Sequence, residues 1–211
     1  MSILLALITA TVLIILGTLR SKRTREPATT VLIRRFVHPG HAWARTTEDG
    51  YVVVGVDEFA QSVVGQVSAV ALPRLLKHVK QGKPVMELRH GNRALPMMSP
   101  VSGWVVEKNE EVWRNPSLIN SSPFGEGWLV KVKPYNLGPE LKNLLTGKLS
   151  RQWQDTARAR LAQFFSGTPV FAYQDGGVVV ANLCERCSDI EWNGVLKEFF
   201  LSDTQPTETQ Q

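Results

Sequence analysis

Two cysteines near the C-terminus have the spacing of a reactive or metal-binding pair. Cys184 and Cys187 form a single C-x-x-C, and the chain contains no other cysteine. Such a pair can supply a thiolate for disulfide exchange or two of the four ligands of a zinc ion. The sequence leaves three interpretations open, namely ordinary residues near the surface, redox thiols, or half of a metal site.

The remaining polar residues do not complete a catalytic or metal-binding set. The four histidines lie far from the cysteines in sequence and lack ligand spacing; they are His38, His41, His78 and His90. No nucleotide-binding loop, Ser/His/Asp combination or paired carboxylates stand out, so we predict no metal, no catalytic residues and no enzyme activity.

A group of basic and polar residues lies where a hairpin is expected to turn. The segment 86–100, "MELRHGNRALPMMSP", separates two β-rich stretches and contains Arg89, His90, Asn92 and Arg93. We predict an exposed tip whose positive charge suits an acidic protein, a phosphate or a lipid head group.

The segments around this tip have the pattern of short strands. Runs of β-branched residues bounded by Gly, Pro or Asn predict a sandwich or barrel; they are "TVLIRRFV", "YVVVGV", "GQVSAVAL", "PVMEL", "GWVVEK" and "WLVKVKP". Asp57 is placed to cap one helix, and a second is expected to begin near Pro139 and Glu140.

The sequence changes character after residue 149. A helix is predicted from an N-cap at Ser150, with apolar residues at helical spacing and an end at Gly167. A small hairpin around "QDGG" and a last helix from Asp189 to Phe200, capped by Ser188 or Asp189, follow. This gives an α+β extension over 150–202 and a disordered polar tail over 203–211.

The N-terminal residues predict a membrane anchor. Residues 3–19 contain no charge and no proline, and eleven of them are Leu, Ile or Val. At 1.5 Å per residue this run spans about 26 Å, close to the thickness of a bilayer core. Arg20, Lys22, Arg23 and Arg25 follow it, so the positive-inside rule predicts a single-pass protein of the inner membrane with its soluble part in the cytoplasm. A cleaved signal peptide is the alternative.

The anchor interpretation also accounts for part of the net charge of +5. Basic residues beside the apolar run would face anionic head groups, and no basic patch interleaved with aromatic residues occurs elsewhere. Nucleic acid is therefore not an expected partner. The predicted division is an anchor with its basic flank over 1–25, a connector over 26–35 and a β domain over 36–149, followed by the extension and tail.

The β domain resembles the glycine cleavage system H-protein. The resemblance rests on "HAWART", "VGVDEFAQSVVGQVSAVALP", "PVSGWVVEKNEEVWRNPSLINSSPFGEGWLVKVKP" and "PELKNLL", in the order and spacing of that family. It implies a mainly β fold, a barrel-sandwich hybrid like the hammerhead of lipoyl and biotinyl carrier domains, here with flanking helices. It also implies a lipoate cofactor on a lysine at the hairpin tip, which ferries an aminomethyl group between enzymes.

This sequence departs from the family at that lysine. In the family the modified lysine lies eight residues before the proline of "PVSG", and the same count from Pro100 reaches Asn92. No lysine occurs between Lys83 and Lys108. We therefore predict a membrane-tethered, non-lipoylated binding or scaffold module with no cofactor and with protein partners. A working lipoyl carrier in glycine cleavage and a thiol redox protein using Cys184 and Cys187 are the alternatives.

Overall fold

The computed structural model describes residues 34–165 and 183–201. Ten short strands form two antiparallel sheets in this part of the chain. The strands are β1 (Arg35–Val37), β2 (Ala42–Thr46), β3 (Val52–Val56), β4 (Ala69–Ala71), β5 (His78–Val79), β6 (Pro84–His90), β7 (Arg93–Met98), β8 (Gly103–Lys108), β9 (Val130–Pro134) and β10 (Leu145–Thr146).

The larger sheet has seven strands and the smaller sheet has three. The order is β10-β1-β2-β3-β9-β8-β5 in the first and β4-β6-β7 in the second. The predicted β-branched runs form β3, β6, β8 and β9, whereas "GQVSAVAL" contributes only the three residues of β4. In β7, Pro96 is tolerated because this is an edge strand, where a missing N–H leaves no ladder bond unmade.

Seven helices accompany the strands within residues 34–165 and 183–201. They are α1 (Glu58–Val64), α2 (Glu110–Arg114), α3 (Leu118–Ser121), α4 (Leu137–Leu141), α5 (Gly147–Phe164), α6 (Leu183–Arg186) and α7 (Asp189–Phe199). Asp57 caps α1 as predicted, since its side chain accepts a hydrogen bond from the Ala60 N–H. Ser188 caps α7, also as predicted, through a reciprocal capping box with Glu191.

Several local predictions are corrected by the structure. The long helix begins at Gly147 and not at Ser150, and α4 begins at Leu137, ahead of Pro139. The small hairpin around "QDGG" and the polar tail after residue 202 lie outside the described residues.

The C-terminal helices share one core with the sheets. Leu161 of α5, Leu183 of α6 and Phe199 of α7 belong to the same cluster of buried residues as Val54 and Leu88 of the strands. Burying apolar surface from both parts ties the stability of the helices to that of the β domain. This packing brings α6 and α7 to the hairpin formed by β6 and β7.

No helix within the described residues is both long and apolar enough to cross a bilayer. The apolar run over 3–19, on which the predicted anchor depends, lies outside those residues.

Candidate functional site

The turn between β6 and β7 is the place where the sequence predicts an exposed tip. His90 pairs with Arg93 at the last position of the ladder, so Gly91 and Asn92 form a two-residue turn. Gly91 has φ of +55°, a conformation that favours glycine, and both turn residues are exposed. Below the turn, Leu88 and Leu95 face each other and are fully buried, which holds the hairpin on the core.

The four predicted surface residues do not form one basic patch. Arg89 pairs with Glu87 of its own strand, with Nε 2.5 Å from Oε1. Its side chain remains 54% exposed, whereas that of Arg93 is only 19% exposed. Asn92 is exposed at the turn. Two of the four, His90 and Arg93, pair with carboxylates of the C-terminal helices.

Arg93 is held by the start of α7 and the residue before its cap. Its Nη2 donates to the Cys187 carbonyl oxygen at 2.6 Å and to Asp189 Oδ1 at 2.9 Å. Its Nη1 donates to Cys187 Sγ at 3.1 Å, and its guanidinium carbon lies 5.7 Å from the centre of the Trp192 ring. The fork geometry of arginine lets one side chain satisfy all three acceptors.

His90 connects the tip to α6 in the same way. Its Nδ1 lies 2.5 Å from the carbonyl oxygen of Gln66, and its Nε2 lies 2.8 Å from Glu185 Oε1. Both ring nitrogens thus face oxygen atoms. The side chain is 22% exposed, so these contacts bury most of it.

The two thiols adjoin these contacts and are both buried. Cys184 Sγ donates to the Val64 carbonyl oxygen at 2.6 Å, and burial, reinforced by the nearby Glu185 carboxylate, raises the pKa of this thiol to about 11. Burial also raises the pKa of Cys187, although the hydrogen bond from Arg93 opposes the shift. Both cysteines are reduced, and their environment disfavours the thiolate that redox chemistry needs.

The side chains near the hairpin tip do not support a metal site. Within residues 34–165 and 183–201, no group of three or more His, Cys, Asp or Glu side chains is arranged to hold a metal ion. A cleft of about 740 Å³ does lie between the tip and α7, lined by Arg93, Cys184 and Trp192 among others. Its walls combine donors, acceptors and an indole ring without a dominant charge.

The structure also contains a second polar cluster, which the sequence did not predict. His41 and Asp57 are paired in the interior, and the His41 ring is stacked on Phe59 at 4.1 Å between ring centres. Trp153 of α5 and Phe200, the residue after α7, also pack on the imidazole. Spacing along the chain gives no signal for this cluster, because α5 and α7 approach His41 only after the C-terminal part has folded back.

Two antiparallel sheets that present a two-residue hairpin tip define a carrier-type β domain. The chain belongs to the glycine cleavage H-protein family, whose model matches residues 34–156. It is 42% identical over 106 residues to glycine cleavage system H protein 2 of Aquifex aeolicus, a match that covers 50% of this chain and 66% of that protein. It is also 42% identical over 105 residues to a probable H protein of Pyrococcus abyssi, covering 50% and 78% of the two chains.

A solved structure supports the same fold. The glycine cleavage system H protein from Mycobacterium marinum aligns with a TM-score of 0.51 and 28% identity, over 58% of this chain and 95% of that one. The predicted mainly β barrel-sandwich fold is therefore confirmed. Residues 183–201, which contact the tip, lie beyond the family match.

Family membership also decides two broader predictions. H-proteins are lipoyl carrier proteins and not enzymes, so the prediction that this chain is not an enzyme is confirmed. The predicted single-pass location in the inner membrane is corrected: the relatives are glycine cleavage H proteins, and the described residues contain no membrane-spanning helix.

Proposed function

We propose that this member of the glycine cleavage H-protein family works without a lipoyl arm, as a protein-binding or scaffold subunit of a larger assembly. The observation that carries the proposal is the identity of the turn: Gly91 and Asn92 occupy the tip of the hairpin. Lipoate is the cofactor expected for the family, and in this proposal the chain carries none.

The chemistry of lipoyl attachment supports this interpretation. Lipoate is joined to a protein through an amide, which needs a nucleophilic amine at the modified residue. The carboxamide of Asn92 has no such nitrogen, and the guanidinium of Arg93 stays protonated and is engaged by Cys187 and Asp189. No residue of the turn can therefore take the place of a lysine.

The nearest lysines in sequence cannot serve the same position. Lys83 immediately precedes Pro84, the first residue of β6, and the tip lies seven strand residues further on. At about 3.3 Å per residue, this separation is roughly 23 Å. Lys108 is at the end of β8, where its amine lies 3.4 Å from Glu110 Oε1.

The partner surface and the domain division are also proposals. Arg89 and Asn92 are the exposed members of the predicted set Arg89, His90, Asn92 and Arg93, and we propose that they form the part of the tip available to a protein partner. We retain 36–149 as the β domain and 150–202 as the extension, with the start of α5 bridging the two.

A lipoyl carrier is the competing function, and the names of the relatives favour it. The Aquifex and Pyrococcus proteins are named as glycine cleavage system H proteins, and a carrier would bind the other proteins of that system. This alternative requires lipoylation of a lysine away from the hairpin tip.

Intact-mass measurement after incubation with lipoate, ATP and a lipoate–protein ligase distinguishes the two functions. We expect no species heavier by one lipoyl group, while an H protein with a tip lysine, treated in parallel, is modified completely. A lipoyl adduct mapped to any lysine of the unmodified sequence would overturn the proposal. Recovery of glycine decarboxylase and aminomethyltransferase with the full chain would then assign it to the carrier function.

A further inference from the structure

We propose that α6 and α7 form an intramolecular latch on the hairpin tip, so that this chain's own C-terminal helices occupy the surface beside the turn. The latch consists of His90 and Arg93 on the hairpin, Glu185 on α6, Asp189 on α7, and Cys187 between the two helices. It extends the proposed function by regulating access to the tip, and it does not depend on whether the chain carries lipoate.

Charge complementarity across the contact supports a specific interaction. Each basic side chain of the tip that faces the helices meets a carboxylate: His90 meets Glu185 at 2.8 Å, and Arg93 meets Asp189 at 2.9 Å. Arg89, on the same hairpin, pairs within its own strand instead. Arg93 thus pairs with the C-terminal helices and Arg89 with its own strand, although the two arginines are only four residues apart.

One end of the latch is buried, and the other end is polar and more exposed. At the buried end, Leu183 and Cys184 are buried, and Cys184 Sγ donates to the Val64 carbonyl oxygen of α1. At the other end, the Asp189 side chain is 92% exposed and that of Glu185 is 51% exposed. Solvent-exposed ion pairs are weak, whereas buried apolar contacts dominate stability. Opening is therefore expected to begin at the ion pairs.

Burial of the cysteines makes opening measurable. Cys187 is 5% exposed and its sulfur accepts from Arg93, so a probe reaches this thiol only after the guanidinium moves away. Cys184, on α6, is likewise 5% exposed. Local opening exposes protected groups at a rate set by the free energy of that opening.

The first experiment measures thiol reactivity with Ellman's reagent in the folded full chain, comparing Arg93→Ala with Arg89→Ala. Arg93→Ala removes the contacts that hold Cys187 closed, so we expect the rate to rise by about tenfold or more, an effect larger than the opposing rise in the pKa of Cys187 that loss of this hydrogen bond causes. Arg89→Ala, the matched control, should leave the rate within about twofold of the unmodified chain, since it removes only a surface pair. Equal rates in the two variants would overturn the latch.

A double substitution on the helices tests the latch without changing the hairpin, so that misfolding at the tip cannot explain the result. Glu185→Gln with Asp189→Asn removes both carboxylates while leaving the hairpin sequence unchanged. Glu198→Gln is its control on α7, because Glu198 pairs with Arg160 and not with the tip. Faster labelling in the double variant alone, with an unchanged unfolding transition, supports the latch. Similar labelling in the double variant and in Glu198→Gln contradicts it.

Access of a protein-sized partner can be tested by installing a lysine at the turn. Asn92→Lys in the latched chain should be lipoylated slowly by a lipoate–protein ligase, and about threefold faster or more when combined with Glu185→Gln and Asp189→Asn, which together remove two exposed ion pairs. Equal rates would show that the helices do not restrict the tip. Lipoylation of the chain without Asn92→Lys contradicts the proposed function and leaves the latch intact, so the two failures are distinguishable.

Discussion

His41 and Asp57 form a buried pair in which Nδ1 of the imidazole lies 2.9 Å from Oδ2 of the carboxylate, with side chains 1% and 0% exposed. The same carboxylate caps α1 through the Ala60 N–H at 3.0 Å and accepts from Gln154 Nε2 of α5 at 3.1 Å. One carboxylate therefore connects the loop before β2, the first helix and the start of the C-terminal extension.

The first prediction concerns the stability contributed by this carboxylate. Asp57→Ala leaves the His41 ring and the Ala60 N–H without their partner in the interior, so we expect a loss of about 3–5 kcal/mol in the free energy of unfolding. Gln154→Ala removes only one bond of the same carboxylate and should cost about 1 kcal/mol. Urea unfolding of both variants measures the difference, and equal losses would show that the carboxylate is not the centre of the cluster.

A second prediction is a loss of stability on acidification caused by His38. Burial, followed by the nearby His41, lowers the pKa of His38 from 6.5 to about 4, and its Nδ1 accepts from the Gly40 N–H at 2.9 Å. Between these two values the unfolded chain binds a proton that the folded chain does not bind. The contribution of His38 to the free energy of unfolding is therefore fully present above pH 6.5. It is lost as the pH decreases towards 4, and the loss amounts to roughly 3 kcal/mol.

The variant His38→Gln isolates this contribution. It should have a smaller decrease in the free energy of unfolding between pH 7 and pH 4.5 than the unmodified chain, measured by urea titration at each pH. If both proteins lose the same amount, another group is responsible for the acid sensitivity.

A third prediction tests close packing between β8 and β9. A Cβ atom at Gly103 would lie 2.2 Å from the backbone oxygen of Lys133, so Gly103→Ala must displace a strand. We expect a destabilisation of about 2–3 kcal/mol, in the range of overpacked sites. Gly138→Ala is the matched control, because nothing lies within 4 Å of its Cβ position and alanine favours helix α4. Thermal unfolding should show a lower midpoint for the first variant and an unchanged or higher midpoint for the second.

Local patterns predicted much of the β domain because the signals act over a few residues. The β-branched runs identified β3, β6, β8 and β9, and the caps of α1 and α7 were evident as Asp57 and Ser188. Counting back from Pro100 reached Asn92, which the structure places in the two-residue turn. These features depend on side-chain alternation, capping and turn geometry, which neighbouring residues determine.

The environment of the tip could not be predicted in the same way. Arg93 and Cys187 are 94 residues apart, and their contact exists only because α6 and α7 pack into the core of the β domain. Neither the burial of the thiols nor the pairing of His90 with Glu185 has a short-range signal. The pairing of His90 and Arg93 within the chain could not be predicted from the hairpin, because their carboxylate partners lie on helices that are distant in sequence.

The last prediction concerns the thiol chemistry of Cys184 and its consequence for a redox function. With a pKa near 11, this thiol is about 0.1% ionised at pH 8, compared with about 10% for an ordinary cysteine of pKa 9. Alkylation by iodoacetamide at pH 8, resolved by peptide mass spectrometry, should therefore be at least about 100-fold slower in the folded chain than in urea. Burial of the sulfur slows it further, because the reagent must also wait for local opening. A folded-state rate equal to that in urea would show that the thiol is accessible and ionised, and would restore Cys184 and Cys187 as a candidate redox pair.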